Sequence, residues 1–360
     1  MRRETITREP GVLASRPVMH SFPKVELHRH LEGTFALPTL HRIARANGLD
    51  VPADFDDFRA LVQFPADSEP DFLKFLSLFR NDWYRSLDDV EQIVHDSVAD
   101  MRTDGLFYIE LRFSPEHFAL HNGFDRIETT RTVISAADEA ADEAGIEIRY
   151  LITFNRAKQN QDEMAGLYRA IRDLSHPRIV GIDLAGDEVN YPPERFVDFF
   201  REINADGVYR STVHAGEVSP ASQIWSAVRD LGARRIGHGV ASITDPELQR
   251  FLADTNVVLE QCITSNYQTG SWPDERHHPL GDLYRSGVPV TINSDDPSIQ
   301  NASLSDDYLK AVEYFGFSLD DLVALNERAL AASFLTDSEK AALLPKYRDA
   351  VAGFRLLHNI

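Results

Sequence analysis

His28 and His30 stand two residues apart in KVELHRH, residues 24 to 30, a run that reads as a strand. Alternate strand residues face the same side, so both imidazoles are expected to point one way, with Glu26 below them. Such a pair can clamp a metal, although an isolated H-x-H match is more often two ordinary histidines. A third imidazole, His214, ends RSTVH at 210 to 214 and is followed by Ala215, Gly216 and Glu217; a buried, hydrogen-bonded histidine is the plain alternative. After VPVTIN at 288 to 293 come Ser294, Asp295, Asp296 and Pro297. Two adjacent carboxylates are costly to bury without a cation or a proton between them, though a solvated turn would carry the same residues.

Together, three histidines and Asp295 form an N3O set suited to Zn²⁺, with one position left for water. Bound zinc brings the pKa of that water to about 7, so the expected chemistry is hydrolysis. His238, in RIGHG at 235 to 239, and Glu217 are placed to orient or deprotonate the water and to protonate a leaving group, unless both are structural hydrogen-bonders. The fourth expected strand ends in Asp183, Leu184, Ala185, Gly186 and Asp187, without the lysine that bridges two metals in binuclear barrels. One zinc ion per chain is therefore expected.

The elements that must hold these residues follow from periodicity. Short β-branched and aromatic runs at 24 to 30, 107 to 113, 147 to 154, 179 to 185, 210 to 214, 235 to 239, 257 to 263 and 288 to 293 alternate with helical spacing, such as Met164, Leu167, Ile171 and Leu174. Eight strands with helical crossovers predict an α/β fold, the (β/α)8 TIM barrel, in which chemistry gathers at the C-terminal strand ends. A doubly wound sheet would show a Gly-rich phosphate turn, and none is present. The long first connection, with helical patterns at 38 to 47 and 71 to 82, predicts a helical insertion over the barrel mouth. Phe72, Leu73, Phe75, Leu76 and Phe79 there could form a lid or pack as ordinary core. Residues 1 to 22 read as a flexible N-terminal tail and 23 to 360 as a single barrel domain.

Composition narrows the partners. The 360 residues carry 37 basic and 57 acidic side chains, a net charge of -20, which repels nucleic acid and anionic membranes and suits a small neutral substrate. The single cysteine, Cys262, and the lack of any apolar run of about 18 residues or of a secretory h-region make the cytoplasm the expected compartment. A homo-oligomer is compatible with these features.

Seven segments in order, PKVELHRHLEG (23 to 33), YIELRFSP (108 to 115), GIDLAGDE (181 to 188), VHAGE (213 to 217), RIGHG (235 to 239), CITSNYQTG (262 to 270) and VTINSDDP (290 to 297), resemble the adenosine deaminase family. The resemblance implies hydrolytic deamination of adenosine or 2'-deoxyadenosine to the inosine product and ammonia, in purine salvage. It implies zinc on His28, His30, His214 and Asp295, with Glu217 protonating purine N1 and His238 orienting and helping to deprotonate the attacking water. It also implies contacts from Asp296 to N7 and from the Gly186 N–H to N3, with Ser265 supporting Asp295. Two positions depart from the pattern. Glu32 stands where Asp is frequent, at the place that reaches the ribose 5' region, and points to another 5' group, as in 6-aminodeoxyfutalosine, or to free adenine. Ile263 replaces a frequent Pro. Small-domain nucleobase deaminases, with their P-C-x-x-C zinc signature, are excluded by the single cysteine. A non-catalytic zinc or nucleoside-binding protein, or a hydrolase of amides or esters, are the competing classes.

Overall fold

The computed structural model of the protein describes residues 9 to 360. Eight strands, β1 (Lys24–His30), β2 (Leu106–Phe113), β3 (Glu147–Asn155), β4 (Ile179–Ala185), β5 (Arg210–Ala215), β6 (Arg235–His238), β7 (Val258–Gln261) and β8 (Val290–Ile292), pair in chain order. All these pairings are parallel. Beyond β8 the Asp295 peptide closes the ring, its N–H reaching His28 O at 3.0 Å and its carbonyl accepting from His30 N–H at 2.9 Å. The expected (β/α)8 barrel is the fold.

The crossover helices lie where apolar residues recur every three or four positions. In Gln161–Leu174, capped by Asn160, the buried set is Met164, Leu167, Tyr168 and Ile171, one stripe turned to the sheet. β7 is shorter than expected because Ile263 already opens a buried helix, Ile263–Gln268, and strand and buried helix share the same apolar composition. In the insertion between β1 and β2, the expected helices are Leu37–Ala46 and Phe72–Ser77, the second ending earlier than its periodicity suggested. The insertion also holds Phe55–Val62 and Leu87–Asp100, the latter started by the Ser86/Asp89 capping box and followed by the 3-10 turn Met101–Asp104.

Two expectations are corrected. Residues 1 to 8 of the expected tail lie outside the described residues. The rest, from Glu9, forms the short helices Glu9–Leu13 and Arg16–Ser21, with Leu13, Met19 and Phe22 buried in the main apolar core. Glu26 does not lie below the histidines. Between Glu26 and Arg29, β1 carries one residue more than β2, and this bulge flips the alternation. Val25 and Leu27 accordingly face an apolar cluster with Tyr108, Leu335, Leu343 and Tyr347, while Glu26 pairs with Arg29 at 2.8 Å and accepts from the Ser294 N–H at 2.7 Å. Its part is to hold the turn that leads into Asp295.

Candidate metal centre and its pocket

The barrel interior below the C-terminal rim is charged rather than aliphatic. Glu260 on β7 accepts a hydrogen bond from His28 Nδ1–H at 2.8 Å, and Asp183 on β4 accepts one from His214 Nδ1–H at 2.9 Å. Arg112 on β2 ties the two carboxylates together, 2.8 Å from Glu260 and 3.4 Å from Asp183. Arg235 on β6 bridges Glu260 and Glu110, each at 2.6 Å. Burial pushes Glu260 and Asp183 up, but Arg112 and Arg235 hold Glu260, and His214 and Arg112 hold Asp183, below the usual carboxylate range.

These carboxylates fix the tautomers above them. With Nδ1 of His28 and His214 protonated, both Nε2 lone pairs point into one small space. His30 Nε2 lies 3.1 Å from His214 Nε2, and Asp295 Oδ1 lies 3.2 Å from His28 Nε2 and 3.4 Å from His30 Nε2. The ligand atoms of His28, His30, His214 and Asp295 all fall within 4.8 Å of one another, and no hydrogen-bond partner satisfies His28 Nε2. Converging lone pairs beside a carboxylate suit a cation, and three imidazoles with one carboxylate suit zinc. Charge agrees: Arg112 and Arg235 face Glu110, Glu260, Asp183 and Asp295, leaving two negative charges for a divalent ion to balance.

The rim is built with backbone strain. Among the non-glycine residues with positive φ are His238 at 60° and Asp295 at 66°, a conformation that costs about 1 to 3 kcal/mol and must be imposed by the surroundings. Gly237 leaves room for the imidazoles: a Cβ there would lie 2.9 Å from His28 Cε1 and 3.1 Å from His214 Cγ. Gly33 does the same for Asp296, whose Oδ1 would be 1.8 Å from a Cβ.

The residues singled out in the sequence line one pocket: His30, Glu32, Gly186, His214, Glu217, His238, Asp295 and Asp296, with Phe72, Phe75, Leu76 and Phe79 of the insertion as its apolar wall. Leu73 instead is 59% exposed and outside it. His238 Nε2 lies 3.6 Å from Glu217 Oε2 and 3.7 Å from Asp295 Oδ2. Burial, with Asp295 and Glu188 nearby, pushes Glu217 well above the usual range, and burial beside Asp295 does the same to Asp296. Both shifts favour the protonated carboxyl, the form that donates a hydrogen bond. Asp295 goes the other way: burial raises it, but His238, His28 and His30 outweigh that and keep it ionised. Glu32, buried and accepting from the Ser114 N–H, is pushed up to about 7 by burial, and its Oε2 has no partner.

One expected support is absent. The Ser265 hydroxyl is buried without a hydrogen bond, so it does not tether Asp295 through one; its neighbour Asn266 reaches His238 Nδ1 at 3.1 Å. Sequence reasoning also passed over Arg112, Arg235 and Glu260. Charged residues inside apolar strands were the available signal, since such groups persist in a core only when paired. Glu188 was quoted without a role, yet it accepts from Val218 and Ser219 N–H at 2.6 and 2.8 Å and holds the loop that carries Glu217.

A family model described as adenosine deaminase matches residues 23–350. The adenosine deaminase of Aliivibrio fischeri is 34% identical over 334 residues, 91% of this chain and 98% of that protein. Among solved structures, adenine deaminase from Arthrobacter aurescens matches with TM-score 0.83 and 26% identity over 92% of this chain and 99% of its own. The N6-methyl-AMP deaminase of Arabidopsis thaliana matches with TM-score 0.81 and 25% identity over 94% and 100%.

Proposed function

The chain belongs to the adenosine deaminase family, and from that premise we propose that it hydrolyses the 6-amino group from adenosine and 2'-deoxyadenosine. The observation that carries this reading is the gathering of three buried carboxyls in one pocket beside the metal centre, Glu217 and Asp296 pushed up by burial and Asp295 held down by its histidines. Adenine offers acceptors at N1, N3 and N7. Glu217 donates to N1, the Gly186 N–H to N3 and Asp296 to N7, a donor set that guanine, with hydrogen on N1, would mispair.

His28, His30, His214 and Asp295 are the residues that would hold one zinc ion, and the ion supplies a water that ionises near neutral pH. Glu217 lends its proton to N1 as C6 is attacked, which draws electron density out of the ring and makes C6 electrophilic. His238 orients the attacking water against C6. Having given its proton to N1, the Glu217 carboxylate can take a proton from the attacking water oxygen and pass it to the 6-amine, which leaves as ammonia. Phe72, Phe75, Leu76 and Phe79 cover the sugar side and keep bulk water out.

Glu32 supports a second reading, in which the substrate is free adenine or a 5'-modified adenine nucleoside. Its Oε2 has no partner and burial pushes its pKa up to about 7, so a partly protonated carboxyl is free to meet a substrate group where the family resemblance puts the 5' end. Ultraviolet absorbance of zinc-loaded protein with adenosine, deoxyadenosine, adenine, AMP and 5'-modified adenine nucleosides separates the two. Fast loss of the adenosine band is expected; turnover of adenine or a 5'-modified nucleoside alone moves the assignment to the second reading, and no turnover on any of them removes the deaminase reading.

A further inference from the structure

His238 is held from behind by two residues to which no role has yet been given. The chain of hydrogen bonds starts from a donor of fixed direction, the Leu280 N–H, which donates to His278 Nδ1 at 3.2 Å. A neutral His278 ring must then carry its hydrogen on Nε2, and that nitrogen lies 3.0 Å from Asn266 Oδ1. Burial, and after it the Lys310 charge, bring the His278 pKa down to about 3, so the ring is neutral. With Asn266 Oδ1 engaged, its Nδ2 faces His238 Nδ1 at 3.1 Å and donates to it. Every direction in the chain is therefore set by one backbone amide.

We infer that His278 and Asn266 are positioning residues that lock His238 in the tautomer with hydrogen on Nε2, so that His238 meets the attacking water as a hydrogen-bond donor. The inference rests on the deaminase reading for its consequence and on geometry alone for the tautomer. Because Nδ1 is occupied and Nε2 carries the hydrogen, the pocket-facing nitrogen has no lone pair with which to take a proton from water. His238 thus aims the oxygen rather than deprotonating it, and the water proton goes to the Glu217 carboxylate, which is free once that side chain has protonated N1. The positive φ of His238 presents the ring edge to the pocket, 3.7 Å from Asp295 Oδ2. Both supporting residues are buried, and Asn266 sits on the helix that follows β7, so the relay ties the β6 rim to the segment after it.

Asn266→Asp tests this. A carboxylate at that position accepts from both rings, moving the His238 hydrogen to Nδ1 and leaving a lone pair on Nε2. His278→Leu frees the Asn266 amide to turn, whereas His278→Gln keeps a donor in reach of Asn266 Oδ1. In zinc-loaded, histidine-15N-labelled protein, with His238→Gln to assign the signals, wild type and His278→Gln should show His238 protonated on Nε2 and bare on Nδ1. Asn266→Asp should reverse that pattern. The kcat for adenosine should fall about 10- to 100-fold in Asn266→Asp and His278→Leu with KM unchanged, and recover in His278→Gln. Zinc content and thermal melting show whether each variant is folded. A wild-type ring protonated on Nδ1, or Asn266→Asp and His278→Leu with wild-type ring shifts and kcat, overturns the inference. Should adenosine prove not to be turned over, the deaminase reading fails while the ring shifts still decide the tautomer.

Discussion

Glu260→Gln is the sharpest test of how the barrel interior supports the metal centre. All four partners of this carboxylate are donors: His28 Nδ1 and Arg112 Nη2 on Oε2, both at 2.8 Å, and Arg235 Nε at 2.6 Å and Thr212 Oγ1 at 3.1 Å on Oε1. Glutamine offers one acceptor oxygen in place of two. Whichever way the amide turns, its NH₂ faces a buried N–H donor, either Arg235 or the pair His28 and Arg112. The charge that offsets two guanidiniums is lost at the same time. Removing one partner from a buried ion pair costs about 3 to 5 kcal/mol. Losing the support of one metal-ligating imidazole lowers metal affinity about 10- to 100-fold, equivalent to about 1.4 to 2.7 kcal/mol. The two effects separate experimentally: urea unfolding of the metal-free protein reads the first, and competition for zinc against a chromogenic chelator reads the second. Thr212→Val, which removes a single neutral donor to the same carboxylate, should cost only about 1 kcal/mol and serves as the control. If Glu260→Gln unfolds within about 1 kcal/mol of wild type and binds zinc with equal affinity, the charged interior is not what holds His28.

Glu217→Gln should lower kcat for adenosine by at least about 100-fold while the protein keeps its zinc; a near-wild-type rate would remove Glu217 from the acid role. Gly237→Ala places a methyl 2.9 Å from His28 Cε1 and should strip zinc on desalting, so full metal content together with a wild-type melting temperature would reject the packing account. Lys24, buried on the carbonyls of Met19, Phe22 and Asp104, has its pKa brought down from 10.5 to about 7 by burial. The unfolded chain then binds more protons than the folded one between those values, so stability rises with pH across that window. Relative to Lys24→Met, wild type should gain up to about 4 kcal/mol from pH 7 to 10 in urea titrations, and a flat difference would refute the shift. Stripping the metal with a chelator should lower the melting temperature. Zinc restored at a hundredfold excess over its Kd should return about 2.7 kcal/mol, and identical unfolding with and without zinc would argue against a site formed by the fold.

The strand ends were legible in the sequence because a rim histidine or aspartate stands at or just past the end of an apolar run, as His214, His238 and Asp295 do. What lay below the rim was harder to read. Glu26 follows the same alternation as His28 and was placed beneath it, whereas the bulge before Arg29 turns it outward; one extra residue on one strand is visible only once its partner's register is known. Glu260 and Arg112 sit in the middle of strands, where composition gives no sign of who pairs with whom across the barrel. Asn266 and His278 are twelve residues apart and meet only because the chain folds back after β7. The helix Phe55–Val62 has Phe55, Phe58 and Val62 at helical spacing, but eight residues are too few to form a stable helix alone, and packing of Phe58 and Val62 fixes it.

The same charges explain why the strained rim persists. His238 and Asp295 adopt positive φ at a cost that nothing local offsets, since neither is glycine. Asp295 is held by backbone bonds to β1 on both sides of its peptide, and the preceding Ser294 is clamped by Glu26. His238 is held through Asn266, and its carbonyl accepts from Gln261. Each strained residue is thus fixed by the strand next to it in the ring, and that ring closes only when Asp295 bonds to β1. A cation held by His28, His30, His214 and Asp295 would sit at this seam between first and last strand, and a divalent ion would balance the two negative charges left by four carboxylates and two guanidiniums.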